Sequence, residues 1–312
     1  MLYTLTPNPS IDRSMTVPEL RFNSVLRSDA VRLDWGGKGF NVSRALQTFG
    51  IESIAMAWVG GGSGKMLADG LQSLSIQTDF VWVDEDTRTN TMIIEESGDW
   101  HIKVNEPGPR ISQSDIYQLS QKIESYAKKG DIWALSGSLP PDVPDNFYAD
   151  LIELLNMRGA TALLDTNNAA LRLGAQAGPH LVKCNLAEAS QIVGFEIKDN
   201  EDAKRAALPF LRMDIEVFGL TMGAAGLLLA TQKQMVFATP PRVQVRNASG
   251  SGDALLAGLI YAQIQGMNLV ETAQWGVATG TASVETEGVS EFEVVRVQEL
   301  LKEVDSRVVN VM

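Results

Sequence analysis

The sequence predicts an α/β fold: a mostly parallel central sheet with helices on both faces, and a small β-sheet set apart from it as a lid. Three observations carry this. From Ser112 onward, strand and helix patterns alternate with regular spacing, which is the signature of parallel strands joined by crossover helices. Glycine turns follow several strands, at the end of an open sheet where ligands bind. Short β segments at about 14–34 and 80–104 fall outside the alternation. The chain of 312 residues, with 45% hydrophobic content, is long enough for one large α/β domain or two small ones.

Taken in order, Met1 to Thr6 is a short apolar strand that stops at Thr6-Pro-Asn-Pro-Ser-Ile-Asp12, so Asp12 is expected just past a strand end. The stretch Ser14 to Asp34 is β. Asp34-Trp-Gly-Gly-Lys-Gly-Phe-Asn-Val-Ser-Arg-Ala-Leu-Gln-Thr-Phe-Gly50 leads through glycines into a helix with Phe40, Ala45, Leu46 and Phe49 as its buried stripe. Gly36 and Gly37 would let backbone approach a ligand, or simply form a flexible connection. Ser53 to Val59 is a strand, and the following Gly60-Gly-Gly-Ser-Gly-Lys65 is not a nucleotide P-loop: position 59 is Val and position 66 is Met, so the first glycine and the metal-binding hydroxyl are missing. The helix after it should bury Met66, Leu67, Leu71 and Leu74.

Phe80 to Val83, Asn90 to Glu95 and Trp100 to Val104 are strands of the lid. Then come a helix from Ser112 to Lys128, strand Asp131 to Leu135, helix Pro144 to Met157, strand Thr161 to Asp165 and strand Leu181 to Lys183. Helices Leu186 to Val193 and Glu201 to Met213 and strand Ile215 to Leu220 complete the alternation. Thr221-Met-Gly-Ala-Ala-Gly226 turns into strand Leu227 to Thr231, paired with Gln234 to Ala238. Ala254 to Gln265 and Leu269 to Val284 are helical, the second rich in small residues that permit close packing. Gln298 to Val304 is a closing helix.

A formal charge of -12 and a pI near 4.7 argue against nucleic acid or an anionic membrane as partner and leave small molecules. Cys184 is the single cysteine, and His101 and His180 are the only histidines. No internal disulfide or zinc cluster is therefore expected, which fits a reducing cytoplasm. No export signal or membrane span is expected either, because Leu2 to Thr6 runs directly into prolines and no apolar run approaches about 20 residues.

The chemistry concentrates in Asn247-Ala-Ser-Gly-Ser-Gly-Asp-Ala-Leu-Leu-Ala-Gly258. Ser249, Gly250, Ser251 and Gly252 form a turn whose backbone N–H groups can converge, and the start of the next helix adds unpaired donors. That is a cradle for an anion. Asp253 would repel a resting phosphate unless it served a neighbouring hydroxyl, so it is either a base for phosphoryl transfer to an alcohol or a helix cap. Two further loops stand out. Ser136-Gly-Ser-Leu-Pro-Pro141 offers the hydroxyls of Ser136 and Ser138, and Lys183-Cys-Asn-Leu-Ala-Glu188 offers a cation, an amide and a carboxylate. Asn185 and Glu188 are three apart, and either cap a helix or hold magnesium largely through waters. Arg88 is a solvated surface arginine or a phosphate clamp.

These motifs, in this order, resemble the ribokinase-like sugar kinases of the PfkB family, in the branch of 1-phosphofructokinase, tagatose-6-phosphate kinase and the minor 6-phosphofructokinase. The pieces that carry the resemblance are Thr6-Pro-Asn-Pro-Ser-Ile-Asp12, Gly36-Gly-Lys-Gly-Phe-Asn41, Thr87-Arg-Thr-Asn90, Ser136-Gly-Ser-Leu-Pro-Pro141, Lys183-Cys-Asn-Leu-Ala-Glu188 and Gly250-Ser-Gly-Asp253. The resemblance implies a ribokinase-like three-layer fold, a single domain over 1–312 with the segments at about 14–34 and 80–104 inserted as the lid, ATP as co-substrate and Mg2+. It implies Asp253 as base with Gly250, Ser251 and Gly252 as anion hole. Asp12, Gly36, Gly37, Lys38, Asn41 and Asn90 would hold the sugar, and Arg88, Ser136 and Ser138 its existing phosphate. Lys183, Asn185, Thr221, Gly223, Gly226, Ser249, Thr279 and Ser283 would serve the nucleotide, with Glu188 and Asn185 organising the metal. Related kinases often dimerise through the lid, so a homodimer is expected.

Two features depart from the pattern. The motif usually has Pro where this chain has Cys184, and Arg27, Arg32 and Lys38 compete with Arg88 as the phosphate-binding cation. The expected acceptor is a ketohexose monophosphate, fructose 1-phosphate first, with fructose 6-phosphate and tagatose 6-phosphate as alternatives. A non-catalytic sugar-phosphate sensor would not need Asp253 and Glu188. A nicotinamide dehydrogenase would need Gly-x-Gly-x-x-Gly where Pro7 and Pro9 stand.

Overall fold

The structure is a computed structural model that describes residues 1–98 and 100–310. Position 99, within the expected lid range, and the last two positions lie outside the described residues. A central eleven-stranded sheet carries the fold and a separate four-stranded sheet stands beside it. In the central sheet, parallel neighbours run from Val217–Thr221 through Leu181–Asn185, Thr161–Asp165, Ile132–Ser136 and Leu2–Thr6 to Ile54–Gly60. Leu227–Ala230, Gln234–Thr239 and Asp305–Asn310 extend one edge antiparallel. The parallel strands are largely apolar runs because both faces of the sheet are covered there.

One face packs the helices Gln113–Tyr126, Phe147–Met157, Asn168–Gln176, Leu186–Val193 and Asn200–Leu211, burying Trp133, Tyr148 and Phe210. The other packs Lys38–Thr48, Ser251–Ile264, Leu269–Val284 and Val294–Leu301. This is the three-layer arrangement. Ser251–Ile264 is apolar on all sides because it lies between the sheet and two other helices. Small residues let Leu269–Val284 close on it: a Cβ on Gly276 would lie 2.6 Å from Leu259 Cδ2.

The four-stranded sheet consists of Ala30–Gly36, Ser10–Val17, Arg88–Glu95 and His101–Val104, in that order. It differs from expectation in three ways, the first being that the expected β stretch Ser14 to Asp34 is broken by a non-strand segment over 18–29. The chain re-enters β structure directly after Pro9, so Asp12 lies inside a strand rather than past a strand end. Val81–Val83 belongs to the central sheet, paired parallel with Ile54–Gly60. Cross-strand pairing puts residues of one parity on each face. Asp12 lies opposite both Asp34 and Asn90, and Ser10 opposite both Gly36 and Arg88.

Other expectations also change. The helix Asn168–Gln176 and the strand Asp305–Asn310 were not foreseen, and the closing helix begins at Val294. On the helix Gly61–Ser73 only Leu67 and Leu71 of the expected stripe are buried, while Met66 and Leu74 are exposed. Gly61 is not a phosphate turn: a Cβ there would overlap the Asp86 carboxylate, which already occupies that helix start.

Candidate active site

The parallel strands end side by side at Thr6, Ser136, Asp165, Asn185 and Thr221, with Ser136 paired to Asp165 and Asn185 to Thr221. Two helices begin just above this row, at Lys38 and at Ser251. Their first turns meet: Asn41 Nδ2 donates to Asp253 Oδ2 at 2.8 Å. Gly37 and Gly39 make this approach possible, since a Cβ would lie 2.7 Å from Thr6 Cγ2 and 2.6 Å from Thr6 Oγ1 respectively. Gly250 starts the second helix at φ +77°, a left-handed conformation that suits glycine.

Asp253 does not cap its helix, for no side-chain cap bond is made there. It is 6% exposed. Burial, with the charge of Asp165 adding to it, pushes its carboxyl up to about 6, against the opposing effects of Lys38, Lys183 and the Asn41 bond. A carboxylate poised there accepts a proton near neutral pH.

Asp165, not singled out from the sequence, is the electrostatic centre of the site. It is fully buried and bridges two lysines: Lys38 Nζ donates to its Oδ1 at 2.7 Å and Lys183 Nζ to its Oδ2. Burial alone would raise its carboxyl, but Lys183 and then Lys38 outweigh burial and hold it below its ordinary value. Burial would lower the Lys38 ammonium, yet Asp165 and then Asp253 raise it. The anion cradle lies over this network. A Cβ on Gly252 would stand 3.1 Å from Lys183 Nζ, and no acceptor among the described residues takes the Gly252 N–H. The Lys183 ammonium thus lies beside the free Gly252 amide, next in sequence to Asp253.

A cleft of about 390 Å³ opens beneath the four-stranded sheet, lined by Ser10, Asp12, Gly37, Lys38, Asn41, Arg88, Asn90, Gly137, Ser138, Ser249 and Gly250 among others. Asp12 Oδ1 accepts from Ser10 Oγ at 2.7 Å and Asn90 Nδ2 at 2.8 Å. Gly36 leaves room for this cluster, since a Cβ there would lie 2.5 Å from Asp12 Oδ2. Arg88 is tied to main chain: Nη2 donates to the Asn8 carbonyl at 2.9 Å and Nη1 to that of Glu106 at 3.1 Å. Burial lowers its guanidinium, with Asp12 and Glu106 opposing. Arg32, Lys38, Arg88 and Lys103 line the cleft against Asp12 and Asp34, so it is locally cationic in an acidic chain. Arg27 does not line it.

Asn185 and Glu188 form a reciprocal capping box: Asn185 Oδ1 accepts the Glu188 N–H at 2.9 Å, and Glu188 Oε2 accepts the Asn185 N–H at 2.8 Å. Glu188 Oε1 makes no bond among the described residues. Thr221 and Gly223 share that rim, Thr221 through its pairing with Asn185. Gly226 is structural, for a Cβ would collide with the Ala238 carbonyl across the hairpin.

Three expected positions turn away from the site. Thr279 and Ser283 are buried, with hydroxyls bound to their own helix at Trp275 and Gly280. They face the neighbouring helix because the small-residue stripe is a packing surface: a Cβ on Gly258 would lie 2.6 Å from Thr279 Oγ1. Ser136 is wholly buried at its strand end, and its loop reaches the cleft through Gly137 and Ser138 instead.

A glycine turn at a helix start, a buried carboxylate with a raised pKa and, beside them, a cationic cleft reached through Asn41 and Gly250 suit a phosphotransferase acting on an alcohol. The family profile described as pfkB family carbohydrate kinase matches residues 8–294, and the chain belongs to that family. It is 32% identical over 306 residues to a 1-phosphofructokinase of Bacillus subtilis, covering 97% of this chain and 98% of that protein. It is 30% identical to a 1-phosphofructokinase of Vibrio cholerae, over 92% of this chain and 90% of that protein. The crystal structure of phosphofructokinase-2 from Escherichia coli superposes with a TM-score of 0.92 at 26% identity, covering 97% of this chain and 98% of that one.

Proposed function

We propose that the enzyme transfers the terminal phosphoryl group of ATP to a free primary hydroxyl of a ketohexose monophosphate, converting fructose 1-phosphate to fructose 1,6-bisphosphate. The observation that carries this is the juxtaposition of Asp253 with Gly252 and Lys183, next to Asn41 and Gly250, which line a cleft rich in cations. Asp253 removes the hydroxyl proton while the Gly250–Gly252 turn and Lys183 bind the phosphoryl oxygens. Asp12, Asn90 and Asn41 hold sugar hydroxyls, and Arg88 with Ser138 holds the phosphate already on the sugar. The relatives named 1-phosphofructokinase favour fructose 1-phosphate over fructose 6-phosphate or tagatose 6-phosphate.

The donor set suits Mg2+ carried in with ATP. Glu188 retains one unbonded carboxylate oxygen at the rim, which fits a metal held mainly by phosphates and water. Bound there, the ion neutralises phosphate charge; the residues that orient it are Glu188 and Asn185. Thr221, Gly223 and Ser249 flank the nucleotide.

The four-stranded sheet acts as a lid and as the seam of a homodimer. Its cleft-facing side carries Ser10, Asp12, Asn90 and Lys103, whereas the opposite side carries Met15, Val31, Leu33, Ile93, Ile102 and Val104 in cross-strand rows. Val104 is 60% and Val31 52% exposed, an apolar face suited to a second copy. We place the enzyme in the cytoplasm, consistent with its one unpaired cysteine. No helix among the described residues is long and apolar enough to cross a membrane.

A coupled ADP-release assay across phosphorylated and free sugars tests the substrate. Fructose 1-phosphate should give the highest kcat/KM. Equal use of free fructose or a nucleoside would contradict the assignment.

A further inference from the structure

The loop after strand Ile132–Ser136 turns at Gly137 with φ of +104°, and the Gly137 carbonyl is drawn inward by two buried hydroxyls. Tyr148 Oη donates to it at 2.8 Å and Thr166 Oγ1 at 2.7 Å. Both residues are fully buried, on the interior side of a loop whose other side, at Gly137 and Ser138, lines the cleft. Burial, then the charge of Asp165, raises the Tyr148 phenol well above its ordinary value, so it remains a donor. In a trans peptide the N–H points opposite to the carbonyl of the same unit. With the carbonyl fixed inward, the Ser138 N–H is directed to the cleft, where no acceptor among the described residues takes it.

We propose that Tyr148 and Thr166 are positioning residues that lock the Gly137–Ser138 peptide with its N–H toward the cleft, as a donor to the phosphate already on the sugar. A glycine at this point can rotate its peptide at little steric cost. The reversed peptide would present a carbonyl oxygen to a dianion, replacing attraction with repulsion. Two hydroxyls occupying both lone pairs of one carbonyl remove that alternative. The helix Phe147–Met157 and the turn after strand Thr161–Asp165 thereby set the affinity of a loop they do not form. This proposal rests on the reading of the acceptor as a sugar phosphate.

The test is steady-state kinetics on Tyr148→Phe, Thr166→Val, Thr166→Ser and the double variant Tyr148→Phe/Thr166→Val. Losing both bonds should raise KM for the sugar phosphate about 10-fold, with kcat and KM for ATP within about 3-fold of wild type. Thr166→Ser, which keeps the hydroxyl, should stay near wild type, whereas Thr166→Val should not. Should the double variant not fold, Tyr148→Phe, which keeps the ring, carries the same KM comparison. An unchanged sugar-phosphate KM in folded variants, an equal rise in KM for ATP, or Thr166→Ser as impaired as Thr166→Val would overturn the lock. A wild-type enzyme that uses no sugar phosphate would overturn the substrate reading, and the phosphate role with it; that result is distinguishable because it appears before any substitution.

Discussion

Asn41 and Asp253, 212 residues apart in sequence, are joined by one hydrogen bond of 2.8 Å between the first turns of two helices. The bond fixes which carboxylate oxygen is engaged and leaves Asp253 Oδ1 for a substrate proton. It also opposes the burial that raises the carboxyl to about 6.

The pH profile follows from that value. A base must be ionised to act, so kcat/KM should fall about tenfold per pH unit below about 6 and level off above it. Asn41 lowers the Asp253 pKa, so Asn41→Leu should move the acid limb to higher pH. Asp165 raises it, so Asp165→Asn should move the limb the other way. Profiles measured with saturating ATP and limiting sugar phosphate check both directions.

Asp165→Asn should also weaken the fold. Two buried or half-buried ammonium groups would lose their shared counterion, a change that costs about 3–5 kcal/mol when a buried pair is broken. The folded pKa of Asp165 is depressed, so its stabilisation is present above the unfolded value of about 3.9 and lost as pH falls through the folded one. Urea unfolding of wild type and variant should differ near neutral pH and converge in acid.

Glu188→Gln separates capping from metal positioning. Glutamine retains an oxygen to accept the Asn185 N–H, so the melting temperature should change little. The magnesium concentration for half-maximal rate should rise severalfold, on the order of 3- to 10-fold, as the free charge is lost. An unchanged magnesium dependence would assign the residue to the cap alone.

Arg88→Lys should raise KM for the sugar phosphate by about 10-fold, close to 1.4 kcal/mol, with KM for ATP nearly unchanged. The guanidinium bridges two carbonyls, Asn8 and Glu106, and a single ammonium cannot span them while also meeting a phosphate. Initial-rate measurements with each substrate varied in turn read this directly.

Much of the architecture was legible because buried parallel strands are apolar runs and glycines mark where they turn. Gly36, Gly37, Gly250 and Gly252 were legible as turns, and the structure brings neighbouring side chains close to each of them. Asp165 was invisible because its partner Lys38 lies 127 residues away, and a carboxylate ending a strand shows no partner in sequence. The helix Asn168–Gln176 is short, and four of its nine residues are alanine or glycine, so its periodicity is weak. Thr279 and Ser283 were ambiguous for a physical reason: small hydroxyl residues on a helix suit a ligand rim and a tight helix contact equally, and here their hydroxyls bond to their own helix. The edge strand Asp305–Asn310 has exposed polar residues, and only its pairing with Gln234–Thr239 declares it.

The central claim is that Asp253 is the base, and turnover of Asp253→Asn tests it most directly. Asparagine can still accept the Asn41 bond, so the fold and the binding of ATP and sugar phosphate, followed by calorimetry, should persist. The account predicts a kcat at least about 100-fold below wild type. A folded variant that binds both substrates and turns over near the wild-type rate would contradict it.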